Sequence, residues 1–411
     1  MAPSKKIIII GGGQSAAYAA KEIRGLDTDC ELTIISEEAT LPYERPPLSK
    51  DYLLDKMNFE QCLFFPQKFY DQGNINFIKN KNINLVDFKK KKLHSQQDST
   101  YTYDKLLIAT GSRNNKLQID GLKENDENVI YLRTIKESST IKEKIKKSNK
   151  IVIVGGGFIG LEIASSINQM NKKVIVLEKA NQLMGRVIPK EISKLIKDLH
   201  EKNGNEINLN VNIKKIEKNN KSYEIFLDPG SSIMADLIII GVGSTPNINM
   251  FINTPLKIDN GIVTDEFSQT SIPDVYAAGD VANFYHPFYN TNLRLESFKH
   301  AQNHGINAGK NIVGKKIPYL EIPWMWSDQF NLNLQMTGIC SDYETIAQRG
   351  NNTDEGIIYF FLKNRKIKGA CGLGIGGKIG RDIRLAGMLS QKKTKLTKEL
   401  LSDKNQKLNK I

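Results

Sequence analysis

Short apolar runs alternate with helical patterns through the first part of the chain. The run Lys6–Ile10 is apolar and β-branched after its first residue, which is typical of a strand buried on both faces of a parallel sheet. A glycine-rich turn follows, and then a helical stretch over Ala17–Ile23 and a second strand at Leu32–Ile35. Residues 74–93 are expected to form strand, turn and strand, and Leu106–Gly111 a strand that runs into a tight turn. This order of elements predicts an α/β fold.

The same order starts again at Lys150. Lys150–Val154 is a predicted strand, Leu161–Met170 a predicted helix, and Lys173–Leu177 and Leu237–Gly241 are further predicted strands. Repetition of a whole strand, turn, helix and strand is typical of nucleotide-binding folds rather than of solenoids. The chain is therefore expected to contain two Rossmann-like dinucleotide-binding domains.

The last third of the chain has a different pattern. Asp274–Val281 is expected to form a strand, a turn and the start of a helix. Three alternating runs then predict a small C-terminal α+β domain with an antiparallel sheet, at Leu334–Ile339, Ile357–Leu362 and Ile367–Leu373. The lysine-rich tail has helical spacing at Leu396, Leu400 and Leu401, but it is expected to fray. The glycine-rich stretch Gly372–Arg381 either lines a partner surface or forms plain turns.

Composition narrows the class of protein. The 411 residues are 40% hydrophobic and 25% charged, as in soluble globular chains, and no apolar run reaches the roughly 18 residues that cross a bilayer. The apolar run at the start is too short for a secretory signal, so a cytoplasmic location is expected. The net charge of +13 fits either an acidic partner or a generally lysine-rich surface, and residues 391–411 alone contribute +5. No basic motif interleaved with aromatic residues supports nucleic-acid binding.

Cysteines and histidines limit the chemistry further. The cysteines are too far apart in sequence for a disulfide framework, an iron–sulfur cluster held by the protein or a redox dithiol: Cys30, Cys62, Cys340 and Cys371. His300 and His304 have the i,i+4 spacing of helical metal ligands, but neither has a carboxylate or cysteine partner nearby in the sequence. No metal is expected.

Each predicted strand-to-helix turn carries a dinucleotide-binding fingerprint. The first glycine permits the tight turn, the second lets the backbone approach a pyrophosphate, and the third position keeps helix and strand close. These positions are Gly11, Gly13 and Ala16 in one copy and Gly155, Gly157 and Gly160 in the other. A carboxylate that can bind ribose hydroxyls follows each copy, namely Glu37 or Glu38 and then Glu178. Two such sites suggest FAD plus a nicotinamide nucleotide, and the charge of Glu178 favours NADH over NADPH because it repels a 2′-phosphate.

Further motifs give the chain a specific resemblance. The stiff segment Pro42–Lys50 contains three prolines, and its Ser49 is expected to cap a helix that begins just after it. Three more motifs follow in order, Ala109–Gly111, Ala277–Asp280 and Pro323–Gln329. With this set, which covers nearly the whole chain, the sequence resembles the FAD-dependent pyridine nucleotide-disulfide oxidoreductase family. Within that family it looks like the NADH–ferredoxin reductases that serve Rieske dioxygenases and cytochrome P450 systems.

The resemblance implies three domains and two nucleotide sites. The domains are an FAD-binding domain of residues 1–112 and 246–322, an NAD-binding domain of residues 113–245, and a C-terminal interface domain of residues 323–411. FAD would be bound by Gly11, Gly13, Ser15, Ala16, Glu37, Arg45, Lys50, Ile83, Ala109, Gly111, Arg133, Asp280, Phe298 and Trp326. The helix expected to start after Asp280 would face the pyrophosphate, and Phe298 stands where the family more often has Trp. NAD would be bound by Gly155, Gly157, Ile159, Gly160, Glu178, Arg186 and Gly243.

The resemblance also assigns the catalytic positions to Lys50, Glu162 and Trp326. The Lys50 ammonium would stabilise the negative charge that develops on reduced flavin, and the Glu162 carboxylate would hold the ammonium in place. Glu162 falls in the first turn of the second fingerprint helix, where the helix dipole favours a negative charge. The alternative for this pair is an ordinary ion pair between domains, and for Arg186 a solvated side chain.

The electrons are expected to leave the protein. No cysteine lies in Leu41–Lys50, where related peroxidases and oxidases carry one, and the chain has no dithiol couple. Flavin can pass on electrons singly, which suits an iron–sulfur acceptor, and a small acidic [2Fe–2S] ferredoxin that binds transiently fits the basic charge. The chain is therefore predicted to be a ferredoxin–NAD(+) reductase. The alternatives are a reductase for rubredoxin, monodehydroascorbate or another small acceptor, and an NADH-binding flavoprotein similar to apoptosis-inducing factor.

Overall fold

The computed structural model describes residues 4–123, 126–185, 187–392 and 395–411. These residues form two compact units, and each is described by itself. Unit 1 consists of residues 4–44, 58–113 and 244–321. Unit 2 consists of the described residues within 45–57, 114–243 and 322–411. In the described ranges, no helix has both the length and the apolar character needed to cross a membrane.

Unit 1 is built on a five-stranded parallel sheet. The predicted first strand lies at its centre, with one parallel neighbour on each side. Ile7 and Ile9 point into one core cluster and Ile8 and Ile10 into the other, because alternate side chains of a strand face opposite sides. In spatial order the strands are Val275–Ala277, Lys105–Ile108, Lys6–Ile10, Glu31–Ile35 and Ile75–Ile78.

Smaller elements complete unit 1. One antiparallel sheet contains Ile83–Asp87, Lys92–Ser95 and Thr100–Thr102, and a mixed sheet contains Ile262–Thr264, Ala282–His286 and Thr291–Leu293. Two short strands are Ser112–Asn114, whose last residue belongs to unit 2, and Ser244–Pro246. The α-helices are Gln14–Leu26, Phe59–Cys62, Gln67–Gln72 and Phe298–Ile312, and the 3₁₀ turns are Asn249–Phe251 and Gly279–Val281. The first and last of these helices pack closely, since a Cβ on Gly305 would lie 2.4 Å from the Ser15 carbonyl oxygen.

Unit 2 repeats the parallel architecture and adds two antiparallel sheets. Its parallel sheet has the order Glu206–Asn208, Val174–Leu177, Ile151–Val154, Leu237–Ile240 and Val129–Tyr131. A three-stranded antiparallel sheet follows, with Asn212–Asn219, Ser222–Asp228 and Ser232–Ala235. The C-terminal antiparallel sheet has the order Trp324–Gln329, Leu332–Gly338, Lys366–Ile375, Ile357–Lys363 and Thr345–Arg349. The helices are Ile135–Lys147, Phe158–Gln169, Lys190–Lys202, Gly380–Gln391 and Lys398–Ser402, and the 3₁₀ turns are Pro46–Ser49 and Leu408–Lys410.

The predicted fold class is confirmed, but two predicted helix starts are wrong. Ser49 ends the 3₁₀ turn Pro46–Ser49 and caps no helix, and its hydroxyl donates to Glu162 instead. Asp280 lies in the 3₁₀ turn Gly279–Val281, which leads directly into a strand. The aromatic pair Phe284 and Tyr285 in that strand favours extended structure over helix.

The expectation of a frayed tail is also wrong. Leu396, Leu401 and Leu408 are buried in the core that lies against the C-terminal sheet. Thr397 caps the short helix Lys398–Ser402 by accepting from the Leu400 N–H group. Tertiary packing therefore orders a segment whose composition alone is that of a solvated tail. The stretch Gly372–Arg381 forms the end of a strand, a turn and the start of a helix.

We expect both units to lose stability as the pH falls from 7 to 5. Burial lowers the pKa of His200 in unit 2 and of His300 in unit 1 to about 4, against about 6.5 in an unfolded chain. Between these values the unfolded chain binds protons that the folded chain excludes, so the free energy of unfolding decreases by about 2 kcal/mol per histidine at pH 5. Urea unfolding at both pH values measures the loss, and His300→Gln should reduce it. Equal stability at pH 7 and 5 would contradict this prediction.

Candidate functional site

The first glycine turn, Gly11–Gly13, leaves open space at the start of the helix Gln14–Leu26. Gly11 has a φ of +112°, and a Cβ there would lie 2.2 Å from the Ala109 carbonyl oxygen, so only glycine fits. A Cβ on Gly13, by contrast, would meet no described atom within 4 Å. The N–H groups of a first helical turn have no partner within the helix. This space therefore suits the pyrophosphate of a dinucleotide.

Three other predicted FAD positions lie beside this turn, namely Ser15, Ala109 and Asp280. Ser15 donates its hydroxyl to the Ala301 carbonyl at 2.8 Å, so it offers a ligand its backbone N–H group rather than its hydroxyl. A Cβ on Gly279 would lie 2.3 Å from Ser15 Oγ, which places the turn containing Asp280 beside Ser15. The Asp280 carboxylate accepts from Ser112 Oγ at 3.1 Å. Unit 1 thus brings the glycine turn, Ala109 and Asp280 together.

The remaining predicted residues of unit 1 lie on separate elements. Glu37 is exposed just beyond the strand Glu31–Ile35, whereas the alternative, Glu38, accepts from the Tyr43 hydroxyl. This contact leaves Glu37 as the better candidate for a ribose. Ile83 is buried at the start of a strand, Gly111 has a φ of +67°, and Phe298 begins a helix with its ring 6.0 Å from that of Phe64.

The second glycine turn, Gly155–Gly157, has the same construction in unit 2. A Cβ on Gly155 would lie 2.3 Å from the Gly241 carbonyl oxygen, and one on Gly160 would lie 2.3 Å from the Gly155 carbonyl oxygen. The nearest described atom to a Cβ on Gly157 would be 3.9 Å away, so the second glycine again faces open space. Ile159 is exposed in the first helical turn, and Gly243 has a φ of +96°. Arg186 lies outside the described residues.

Glu178 is fixed beside this turn by two backbone groups. Its Oε2 atom accepts from the Gly156 N–H group at 2.6 Å, and its Oε1 atom accepts from the Ala180 N–H group at 2.7 Å. The carboxylate stands at the carboxyl end of the strand Val174–Leu177, the edge at which parallel sheets bind nucleotides.

A partly buried ionic cluster in unit 2 contains the three predicted catalytic residues. Lys50 Nζ lies 3.0 Å from Glu162 Oε1 and 3.1 Å from Asp328 Oδ2. The ammonium also lies 5.5 Å from the centre of the Trp326 ring, within cation–π distance. The Lys50 side chain is 15% exposed and that of Glu162 8%. Burial lowers the pKa of Lys50, but the Glu162 and Asp328 carboxylates outweigh it, so the pKa is raised and the lysine stays charged.

The backbone around Lys50 is tied to two helices. Ser138 Oγ donates to the Leu48 carbonyl and Ser166 Oγ donates to the Ser49 carbonyl, each at 2.7 Å. The prolines of the turn Pro46–Ser49 restrict its backbone further. Lys50 therefore directly follows a rigid turn, and its side chain has little freedom to move away from Glu162.

Several partners in this cluster were not predicted. Ser49 Oγ and Ser327 Oγ each donate to the Glu162 carboxylate at 2.6 Å. Asp328 Oδ2 accepts from Trp326 Nε1 at 3.2 Å, and the rings of Trp324 and Trp326 stack at 5.4 Å. Ser327 and Asp328 stand inside the motif quoted for the resemblance, which was the signal available in the sequence.

Arg45 and Arg133, both predicted to bind FAD, contact each other in unit 2. Arg45 donates through Nη1 to the Arg133 carbonyl, and the Arg133 N–H group donates to Glu137 Oε2. Glu137 is also part of the capping box with Thr134 that begins the helix Ile135–Lys147. The helix start thereby positions both arginines.

The four cysteines are poor redox groups. Burial raises the pKa of Cys340 to about 12 and that of Cys371 well above its usual value. It also raises the pKa of Cys30 and of Cys62. Since the thiolate is the reactive form, the raised pKa values lower the reactive fraction of each thiol. Across the described ranges, His, Cys, Asp and Glu form no cluster of three or more that could hold a metal ion.

Comparison with known families decides the class. A model of the pyridine nucleotide-disulphide oxidoreductases matches residues 5–305, and a reductase C-terminal model matches residues 324–411. The chain belongs to the pyridine nucleotide-disulphide oxidoreductase family. It is a flavoprotein oxidoreductase, and the predicted cofactors, FAD and NAD(H), are those of the family. The predicted resemblance and enzyme class are confirmed.

Similar proteins differ in their electron acceptors. Rubredoxin-NAD(+) reductase of Ectopseudomonas oleovorans is 33% identical over 84% of this chain and 90% of its own length. The ferredoxin–NAD(+) reductase component of the 3-phenylpropionate/cinnamic acid dioxygenase of Photorhabdus laumondii is 31% identical over 93% of this chain and 95% of its own. The crystal structure of a covalent putidaredoxin reductase–putidaredoxin complex matches 99% of this chain and 97% of that one, with a TM-score of 0.92 and 26% identity.

Proposed function

We propose that this protein is an NADH:ferredoxin oxidoreductase that passes electrons singly to a small acidic [2Fe–2S] ferredoxin feeding an oxygenase. The observation that carries the proposal is that all four cysteines are free, so the chain offers no disulfide that could take up the electrons. An external acceptor is therefore required. Similar proteins that act with ferredoxins, together with the net charge of +13, favour an acidic iron–sulfur protein.

The residues described above fit the two nucleotides. In the proposal, residues 1–112 and 246–322 hold FAD, with the pyrophosphate in the space in front of Gly13, and residues 113–245 hold NAD in front of Gly157. Residues 323–411 form the interface domain. Bound FAD supplies an acceptor for the hydride of the nicotinamide and a donor of single electrons. Lys50 places a positive charge for the anionic reduced form, and Glu162 and Asp328 hold the ammonium there.

Rubredoxin is the second candidate acceptor. The observation in its favour is the 33% identity to a rubredoxin-NAD(+) reductase. Both acceptors are small iron–sulfur proteins that take one electron, so the chemistry of this chain is the same for either. Only the docking surface and the potential of the acceptor distinguish them.

We expect NADH-dependent reduction of an acidic [2Fe–2S] ferredoxin to be faster than that of rubredoxin. The rate with the ferredoxin should decrease as the salt concentration rises. Opposite charges on the two proteins steer their encounter, and salt screens this steering. Steady-state rates with each acceptor at 50 and 300 mM NaCl measure both effects, and ferricyanide serves as a control acceptor. Equal rates at all salt concentrations would argue against specific docking, and a preference for rubredoxin would select the second candidate.

We expect Glu178→Gln to decrease the preference for NADH over NADPH about tenfold. The substitution removes the charge that repels a 2′-phosphate but keeps an oxygen that can accept from Gly156 or Ala180. One charge–charge contact near a surface is worth about 1.4 kcal/mol or more, which is tenfold in specificity. The ratio of kcat/KM for the two nucleotides measures it. Glu206→Gln, an exposed carboxylate on the neighbouring strand, is the matched control and should leave the ratio unchanged.

A further inference from the structure

A chain of hydrogen bonds leads from Glu162 into the interior of unit 2. Ser327 Oγ donates to Glu162 Oε1 at 2.6 Å, and Gln329 Nε2 donates to Ser327 Oγ at 2.9 Å. Gln329 Oε1 lies 3.0 Å from His200 Nε2, and His200 Nδ1 lies 3.2 Å from Asn205 Nδ2. All of these residues are buried, with whole-residue exposures between 0% and 7%. These hydrogen bonds connect the helix Lys190–Lys202 to the ionic cluster of Lys50.

The direction of the chain follows from the chemistry of its members. Ser327 has one hydroxyl proton, which it gives to a carboxylate, so the Gln329 atom that faces Ser327 must be the amide nitrogen. The Gln329 oxygen then faces His200, and His200 Nε2 must carry the proton. His200 Nδ1 is left as the acceptor for Asn205. Every donor thus points toward Glu162, and hydrogen bonds aligned in this way strengthen one another.

His200 also packs against the strand that carries the cluster. Its ring meets that of Phe330 edge to face at 5.0 Å, and the Phe330 N–H group donates to Ser165 Oγ at 2.8 Å. Phe330 directly follows the strand Trp324–Gln329, which holds Trp326 and Asp328. The imidazole is neutral at pH 7, because burial lowers its pKa to about 4. A neutral ring with its proton on Nε2 is the form that the chain requires.

We propose that His200 is a positioning residue for the reaction with NADH, acting through Gln329 and Ser327 to orient the Glu162 carboxylate and thereby the Lys50 ammonium. This inference rests on the role proposed above for Lys50. His200 is not one of the residues proposed to bind FAD or NAD. It acts on the Glu162 oxygen that Lys50 meets, because Ser327 Oγ donates to Oε1 and Lys50 Nζ lies 3.0 Å from the same atom.

A double-mutant cycle on the FAD-loaded protein tests the proposal. His200→Leu removes the donor, and Ser327→Ala removes the link to Glu162. We expect each to slow the reduction of bound FAD by NADH about threefold to tenfold, with the dissociation constant for NADH unchanged. The double variant should be no slower than Ser327→Ala alone, because the chain is already broken. His200→Gln, whose amide nitrogen can donate to Gln329, should restore most of the rate, and His286→Gln in unit 1 is the control for loss of a buried histidine.

Two further measurements separate positioning from packing. The flavin midpoint potential should become more negative in His200→Leu, since a less well placed ammonium stabilises the reduced form less. In the FAD-free protein, nitrogen-15 NMR should show a slowly exchanging Nε2 proton on His200, and Gln329→Met should make it exchange faster. Gln329→Met also replaces His200→Leu in the cycle if that variant does not fold.

Two results would overturn the proposal. One is additive losses of rate in the double variant, which is the result of independent packing defects. The other is an unchanged rate and potential in a folded His200→Leu protein. Reduction of FAD by NADH needs no protein acceptor, so these outcomes are independent of the ferredoxin screen. An unchanged rate in Lys50→Met would instead show that the proposed role of Lys50 fails.

Discussion

Replacement of Lys50 by Met is expected to slow the reduction of bound FAD by NADH about 100-fold to 1000-fold. Met keeps most of the apolar stem but removes the ammonium, and loss of one fixed charge or donor at a developing anion typically costs this much. Binding of NADH should change little, because Glu178 is held at the second glycine turn by the backbone N–H groups of Gly156 and Ala180 and not by Lys50. Stopped-flow absorbance of the flavin on mixing with NADH measures both the rate and its saturation.

Stability must be followed in the same variant. Removal of one partner from a buried pair leaves an uncompensated charge. Here Glu162 keeps two hydroxyl donors, Ser49 and Ser327, so we expect a loss of about 3 kcal/mol or less in the free energy of unfolding. Flavin content and urea unfolding show whether slow reduction results from loss of bound FAD or from loss of folded protein.

Lys142→Met is the matched control for Lys50→Met. Lys142 pairs with Asp55, lies 4.5 Å from the centre of the Tyr52 ring, and has a side-chain exposure of 15%, the same as Lys50. It therefore combines an ion pair and a cation–π contact without a link to Glu162. The control should reduce at the rate of the unmodified protein. A folded Lys50→Met protein with that rate, or equal slowing in both variants, would exclude the special role of Lys50.

Replacement of Gly11 by Ala is expected to destabilise unit 1 by about 3 kcal/mol or more and to abolish FAD binding. A Cβ would lie 2.2 Å from the Ala109 carbonyl oxygen, and the φ of +112° is strained for any residue with a Cβ. The neighbouring backbone at the carboxyl end of the strand Lys105–Ile108 would have to move. Urea unfolding and the absorbance of bound flavin measure the two effects.

Two other glycines serve as controls for Gly11. A Cβ on Gly13 enters open space, so Gly13→Ala should fold normally yet weaken FAD binding about tenfold by occupying the space proposed for the pyrophosphate. Gly25 lies in the helix Gln14–Leu26, which follows the turn, and a Cβ on Gly25 would have no described atom within 4 Å. Gly25→Ala should therefore leave FAD binding intact and raise the free energy of unfolding by up to about 1 kcal/mol. Stable FAD binding by Gly11→Ala would contradict the proposed site.

Local patterns were sufficient for the central strands of the parallel sheets and for the glycine turns, whereas the edge strands Glu206–Asn208 and Val129–Tyr131 were not predicted. The run Lys6–Ile10 forms the predicted strand over the same residues, and the second fingerprint begins directly after the strand Ile151–Val154 and ends in the first turn of the helix Phe158–Gln169. Both depend on residues close together in sequence, whose spacing alone determines period and turn geometry. The prediction of a helix after Asp280 was wrong, because a short turn motif of this kind also fits a 3₁₀ turn before a strand.

Long-range partners could not be predicted in this way. Ser49 and Glu162 are 113 residues apart, and Ser327 and Glu162 are 165 residues apart, yet both hydroxyls meet one carboxylate. Serine is common on surfaces and in turns, so no local pattern marks these two. The same holds for His200, whose position on a helical face gives no indication of Gln329.

The anchored end of the chain affects how the protein withstands proteases. The Arg349 guanidinium donates to the carbonyl groups of Leu401, Asp403 and Gln406, and Arg349 Nε lies 3.3 Å from Asp382 Oδ2. Trypsin cuts after lysine only where the backbone can unfold locally into its cleft. The peptide bonds after Lys404 and Lys407 lie in or beside the segment whose carbonyl groups Arg349 binds, so we expect trypsin to spare them while the C-terminal sheet is intact.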